Sequence, residues 1–166
     1  IYGGGGRDFI DAGAGDDLVY ADAPPSPATT SPLAPAATGP NLIRNGSFED
    51  YVVPDRRWSP ILAANTGAWT ITGPALEVWN TLAGRAAADG KNNIELDYDR
   101  GLDAISQSVQ GTEAGKAYRL SFSLAARFAQ ERGAQESVQV LWNGAIIATY
   151  ALTATEWQNF SWRVIA

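Results

Sequence analysis

Hydrophobic and polar residues alternate along the last three quarters of the chain. Tyr118, Leu120, Phe122, Leu124 and Ala126 are interleaved with Arg119, Ser121, Ser123 and Ala125. Val138, Val140 and Trp142 are interleaved with Ser137, Gln139 and Leu141. Phe160, Trp162, Val164 and Ala166 alternate with Asn159, Ser161, Arg163 and Ile165, and Ile94 and Leu96 with Glu95 and Asp97. A period of two puts every second side chain on one face, so each run predicts a half-buried strand. Asn143-Gly144 separates two such runs, and a type I′ hairpin needs both turn residues at positive φ. Short strands at regular spacing predict an all-β, antiparallel β-sandwich over residues 41–166. No stretch carries a clear helical period. The nearest, Ala125 to Gln135, is broken by Gly133 and reads as a long loop or a short helix.

Six tryptophans fall within this region. An aromatic face stacks on the C–H face of a sugar ring, while carboxylates and amides bind its hydroxyls. Parity places Trp142, Trp162 and Trp69 in the core beside aliphatic partners, and Trp157 at the opening of a strand. Trp79 shares a face with Glu77, opposite Leu76 and Val78, and is the candidate for an exposed platform. Trp58 follows Arg56-Arg57 between Pro54 and Pro60 and suits a binding loop. Asn80 and Arg127 complete the candidate ligand-binding set. Protection of a sheet edge would explain Trp79 equally well. Glycoside hydrolysis needs two carboxyl groups about 5–9.5 Å apart. Glu77 with Glu95, or Asp97 with Asp99, are the available pairs, but solvated strand faces and turns account for them without catalysis, so no catalytic residue is assigned.

Ahead of the alternating region the texture changes twice. Residues 23–40 hold six of the nine prolines and no charge, a semi-rigid Pro/Ala-rich linker spanning about 50 Å if extended. Residues 1–22 carry a glycine–aspartate repeat. Gly3-Gly4-Gly5-Gly6-Arg7-Asp8-Phe9-Ile10-Asp11 is followed in register by Ala12-Gly13-Ala14-Gly15-Asp16-Asp17-Leu18-Val19-Tyr20. These nonapeptides resemble the RTX (repeats-in-toxin) calcium-binding motif G-G-x-G-x-D-x-U-x, which implies a short parallel β-roll fragment. Calcium takes six to eight oxygens from carboxylates and backbone carbonyls. On that resemblance Asp8 and Asp17 are the side-chain calcium ligands, with loop carbonyls of Gly3, Gly5, Ala12 and Ala14 beside them. Two nonapeptides make one turn of such a roll, so its loops lack stacking partners here.

The chain has 12 basic and 18 acidic residues, a net charge of −6, and no histidine or cysteine. That balance argues against nucleic acid as a partner, since phosphate binding needs a basic face. Histidine absence removes the Ser-His-Asp triad and the HExxH zinc pattern. Any metal is then a hard, oxygen-ligated ion such as Ca2+. No apolar run approaches about 18 residues, so no membrane span is expected.

Asn41-Leu42-Ile43-Arg44-Asn45-Gly46-Ser47-Phe48-Glu49 resembles the first strand of galactose-binding-like jelly rolls, which include secreted carbohydrate-binding modules. Trp69-Thr70-Ile71-Thr72-Gly73, Leu76 to Trp79, Ile94 to Asp97, Ile105 to Val109 and Gly115 to Phe122 resemble later strands in the same order. The likeness covers residues 41–166. It implies a jelly-roll topology and a first-strand calcium ligand at Glu49. Members close with a further strand or two, so the sandwich is expected to lack its last strand or strands.

Together these readings predict a secreted, extracellular bacterial protein segment. Its calcium-binding RTX repeat is joined by a linker to a non-catalytic, carbohydrate- or cell-surface-binding β-sandwich. The alternatives are a structural spacer module of an RTX adhesin, and an accessory domain of an exported polysaccharide-active enzyme.

Overall fold

A computed structural model describes residues 2–3, 39–63, 67–96, 103–127 and 136–166. Ten strands follow in order: β1 (Tyr2–Gly3), β2 (Arg57–Leu62), β3 (Thr70–Thr72), β4 (Ala75–Asn80), β5 (Asn92–Glu95), β6 (Asp103–Ser106), β7 (Ala117–Leu124), β8 (Glu136–Trp142), β9 (Ala145–Leu152) and β10 (Gln158–Ile165). A 3-10 turn, Leu82–Gly84, lies between β4 and β5. Every strand pair is antiparallel, so the chain is all-β as the alternation implies.

Four small sheets pack in two pairs, in the manner of a sandwich. The sheets β1-β6-β3 and β2-β4-β5 enclose one core of Ile71, Leu76 and Ile105, flanked by Phe48, Ile61, Trp69 and Ile94. The pairs β7-β10 and β8-β9 enclose a second, of Leu124, Val138, Val140, Tyr150 and Leu152 with Phe122 and Phe160. Tyr150 and Phe160 meet at 4.1 Å between centroids, and Phe122 closes the aromatic cluster at 5.7 Å from Phe160. Burying each large side chain contributes about 1.5–3 kcal/mol, so these clusters hold the sheets together. Arg85 joins the two halves, donating from Nη2 to the carbonyls of Ala126 (3.0 Å) and Thr155 (2.8 Å). The Trp157 indole donates to the Ala86 carbonyl at 2.8 Å beside it.

The Asn143-Gly144 hairpin forms as expected, with φ of 47° and 72° joining β8 to β9. A β-bulge follows it. Val140 pairs with Ala148 but Leu141 with Ile146, leaving one extra residue on β9. The extra residue, Ile147, shifts the parity of β9 beside the hairpin. Leu141, placed by parity on the polar side, is 3% exposed. Trp142, expected in the core, is half-buried and donates its indole N–H to the Ile165 carbonyl at 2.6 Å. Trp162 is likewise half-buried, its indole donating to the Tyr150 hydroxyl at 2.6 Å.

Two further expectations are corrected. Residues 41–49 form no strand. They fold as consecutive turns in which Asn45 and Phe48 have φ of 48° and 63°. Buried Gln107 holds this segment by pairing its side-chain amide with the Arg44 backbone, at 2.8 Å to N and 2.9 Å to O. Trp58, expected in a loop, lies in β2. Pro60 is tolerated there because β2 is the edge of its sheet, where a missing N–H costs no ladder bond.

Candidate functional site

The face of β2-β4-β5 turned away from the core brings the candidate residues together. Pairing sets Trp58 opposite Trp79 and Trp79 opposite Asn93 in one row. Pro60, Glu77 and Glu95 form the next row. Val78 and Ile94 point to the other side, with Leu76, into the core. The parity assigned to Glu77 and Trp79 from sequence therefore holds. Asn80 belongs to the opposite face, where it is buried and donates from Nδ2 to the Val53 carbonyl at 3.0 Å. It supports the Val53 segment and takes no part in the site.

Trp79 is 8% exposed, not the open platform expected. Its ring is covered by Arg127, whose guanidinium carbon lies 4.9 Å from the ring centroid, and its indole donates to Glu77 Oε2 at 2.8 Å. Arg127 Nη1 also donates to Glu95 Oε1 at 2.5 Å. The four side chains form a closed ring of contacts: Glu77, Trp79, Arg127, Glu95.

Trp58 differs from the other five tryptophans. Trp69, Trp79, Trp142, Trp157 and Trp162 each donate the indole N–H to an internal acceptor. Trp58 makes no such bond among the described residues and is 45% exposed. Sequence parity could not separate it from the rest, because both its exposure and its unused donor depend on what packs nearby.

The Glu95 carboxyl is perturbed by its burial and by its place beside Glu77. Burial pushes the Glu95 carboxyl up to about 8, and its hydrogen bond with Glu77 adds to the rise. Arg127 pulls the other way without cancelling it. The Arg127 side chain is 40% exposed, so water screens its attraction, while the Glu95 side chain is only 11% exposed and poorly hydrated. Glu95 Oε2 is buried and has no hydrogen-bond partner among the described residues, which disfavours the charged form. Near neutral pH the Glu95 carboxyl is therefore held largely in its protonated form. Asn93, which the sequence reading passed over, adds a second buried acceptor without a donor, its Oδ1. Its parity with Glu95 was the available signal.

The calcium candidates fall differently. Gly3 lies in β1, opposite Asp103 of β6, within a sandwich sheet. Gly5, Asp8, Ala12, Ala14 and Asp17 lie outside the described residues, as do Asp97 and Asp99. Glu49 Oε1 accepts the backbone N–H groups of Lys91 (2.7 Å) and Asn92 (2.8 Å), which fastens the β4–β5 connection to the 43–50 turns. Among the described residues no group of three or more acidic, histidine or cysteine side chains is placed to hold a metal. No described helix is long and apolar enough to cross a membrane.

Against known proteins, no family model, no curated protein and no solved structure matches the chain.

Proposed function

We propose that residues 41–166 are a non-catalytic carbohydrate-binding module of jelly-roll type, carried by a secreted bacterial RTX protein whose repeat binds calcium. The observation that carries the binding proposal is Trp58, a half-exposed indole with an unused N–H. It stands in one row with Trp79 and Asn93, beside the carboxyl pair of Glu77 and Glu95. A sugar ring stacked on Trp58 finds a hydrogen-bond donor in the indole and acceptors in the neighbouring row. Trp79 and Arg127 stiffen the floor beneath it and do not stack on the ligand themselves. Fold alone does not assign a ligand, so the claim rests on this row of side chains.

A glycan array with the intact chain tests the proposal. Binding is expected, with a loss of about tenfold or more for Trp58→Ala, the cost of one stacking contact with its hydrogen bond. Binding that survives Trp58→Ala sinks the site assignment. The closed Glu77–Trp79–Arg127–Glu95 ring favours a second reading, a structural spacer module, and an empty array supports it. The calcium proposal has its own test. Asp8→Ala with Asp17→Ala should abolish calcium binding measured by titration calorimetry, and unchanged binding refutes those ligands.

A further inference from the structure

The outer face of the β7-β10 pair carries a second arrangement, separate from the Trp58 row. Register places Arg119 directly opposite Arg163. Next to this pair stand Ser121 opposite Ser161, then Ser123 opposite Asn159, joined by a 2.7 Å bond from Ser123 Oγ to Asn159 Oδ1. Ala117 and Ile165 close the other end. Both arginines are exposed, and neither makes a hydrogen bond or an ion pair among the described residues. Among the described residues of β7 and β10 on this face none is acidic, although the chain as a whole carries −6.

Like charges directly opposite on a sheet destabilise the pairing. Two guanidinia with Cβ atoms about 5 Å apart repel each other, yet both can reach a single carboxylate placed between them. Arginine's planar fork suits that bidentate grip. The hydroxyl and amide rows that follow suit the hydroxyls of a polyol, and the ladder runs about 20 Å along the strands. An anionic bilayer is a poorer fit, since the face offers two cations and one exposed aliphatic, Ile165, at its end.

We propose that this face docks a linear acidic polysaccharide, a polyuronate, with Arg119 and Arg163 gripping one carboxylate and the serine–asparagine rows binding adjacent hydroxyls. The repulsion between the two arginines is relieved when the carboxylate arrives. The inference does not depend on the Trp58 row.

Affinity electrophoresis of the full chain in gels containing polygalacturonate tests it. Retardation is expected at about 0.05 M salt and should weaken strongly by about 0.2 M, as screened charges require. Arg119→Gln with Arg163→Gln should lower affinity about tenfold or more. Arg163→Glu should abolish binding and raise the thermal midpoint, because it turns the repelling pair into an ion pair. A role in folding alone would not separate those two readouts. Absent retardation, retardation kept in the double glutamine variant, or retention on phosphatidylglycerol vesicles in preference to the polyuronate each overturns the proposal.

Discussion

Replacing Glu95 by glutamine should change how stability depends on pH while leaving the fold intact. In the native state the carboxyl titrates at about 8, against an ordinary value of 4.5. Between those values the folded chain holds a proton that the unfolded chain has released, so stability falls as pH rises. The contribution is fully present below about 4.5 and gone above about 8. At 1.36 kcal/mol per pKa unit the ceiling is about 5 kcal/mol. The neighbouring Glu77 carboxyl and the water around Arg127 bring the observable part down to about 1–3 kcal/mol. Glutamine mimics the protonated acid, since its carbonyl still accepts from Arg127 and its amide donates to Glu77. Urea unfolding of both chains from pH 5 to pH 9 gives the difference directly, and groups common to both cancel. Near pH 5 the two should be about equal, and near pH 9 the glutamine variant should be the more stable. Parallel curves across that range would refute the raised titration of Glu95.

Three further outcomes follow from particular contacts. Gly90 has φ of +69°, and a Cβ there would lie 2.5 Å from Glu49 Oε1, itself held by two backbone amides. Gly90→Ala should therefore cost about 1–3 kcal/mol in chemical denaturation, and a loss under 0.5 kcal/mol would mean that the Glu49 carboxylate is not fixed. Gln107→Ala leaves the Arg44 N–H and C=O without their partners. A loss of about 1–3 kcal/mol is expected, together with faster amide exchange confined to residues 41–50. Arg85→Lys keeps the charge but cannot repeat the geometry that joins Ala126 O to Thr155 O. About 1–2 kcal/mol should be lost, read as a lower thermal midpoint, and an unchanged midpoint would show that the joint is dispensable.

The strands were legible because alternation is a local property. Runs such as 117–124 and 158–165 carry the period of two in consecutive residues, and Asn143-Gly144 encodes its own turn. Parity likewise placed Glu77 with Trp79 and opposite Leu76 and Val78, as β4 has them. What parity could not report is what covers a face. Trp79 was legible as pointing away from the core, but its burial under Arg127 depends on a residue 48 positions along the chain. Gln139 and Leu141, of one parity on β8, are both buried like Val138 and Val140 of the other, because packing covers both faces of that strand. The turns at 43–50 defeat a strand-like motif because Gln107 and Glu49 supply hydrogen bonds that a neighbouring strand would otherwise provide.

The sequence by itself therefore determined the β class, the Asn143-Gly144 hairpin, and the opposite facing of Glu77 and Trp79 to Leu76 and Val78. These depend on spacings of one or two residues, which the chain carries with it. Tertiary structure alone decided that Glu95 is buried beside Glu77, that Arg127 closes over Trp79, that the Trp58 indole finds no acceptor among the described residues, and that Arg119 meets Arg163. Each of these depends on cross-strand register and burial, and both arise only when distant segments pack and exclude water.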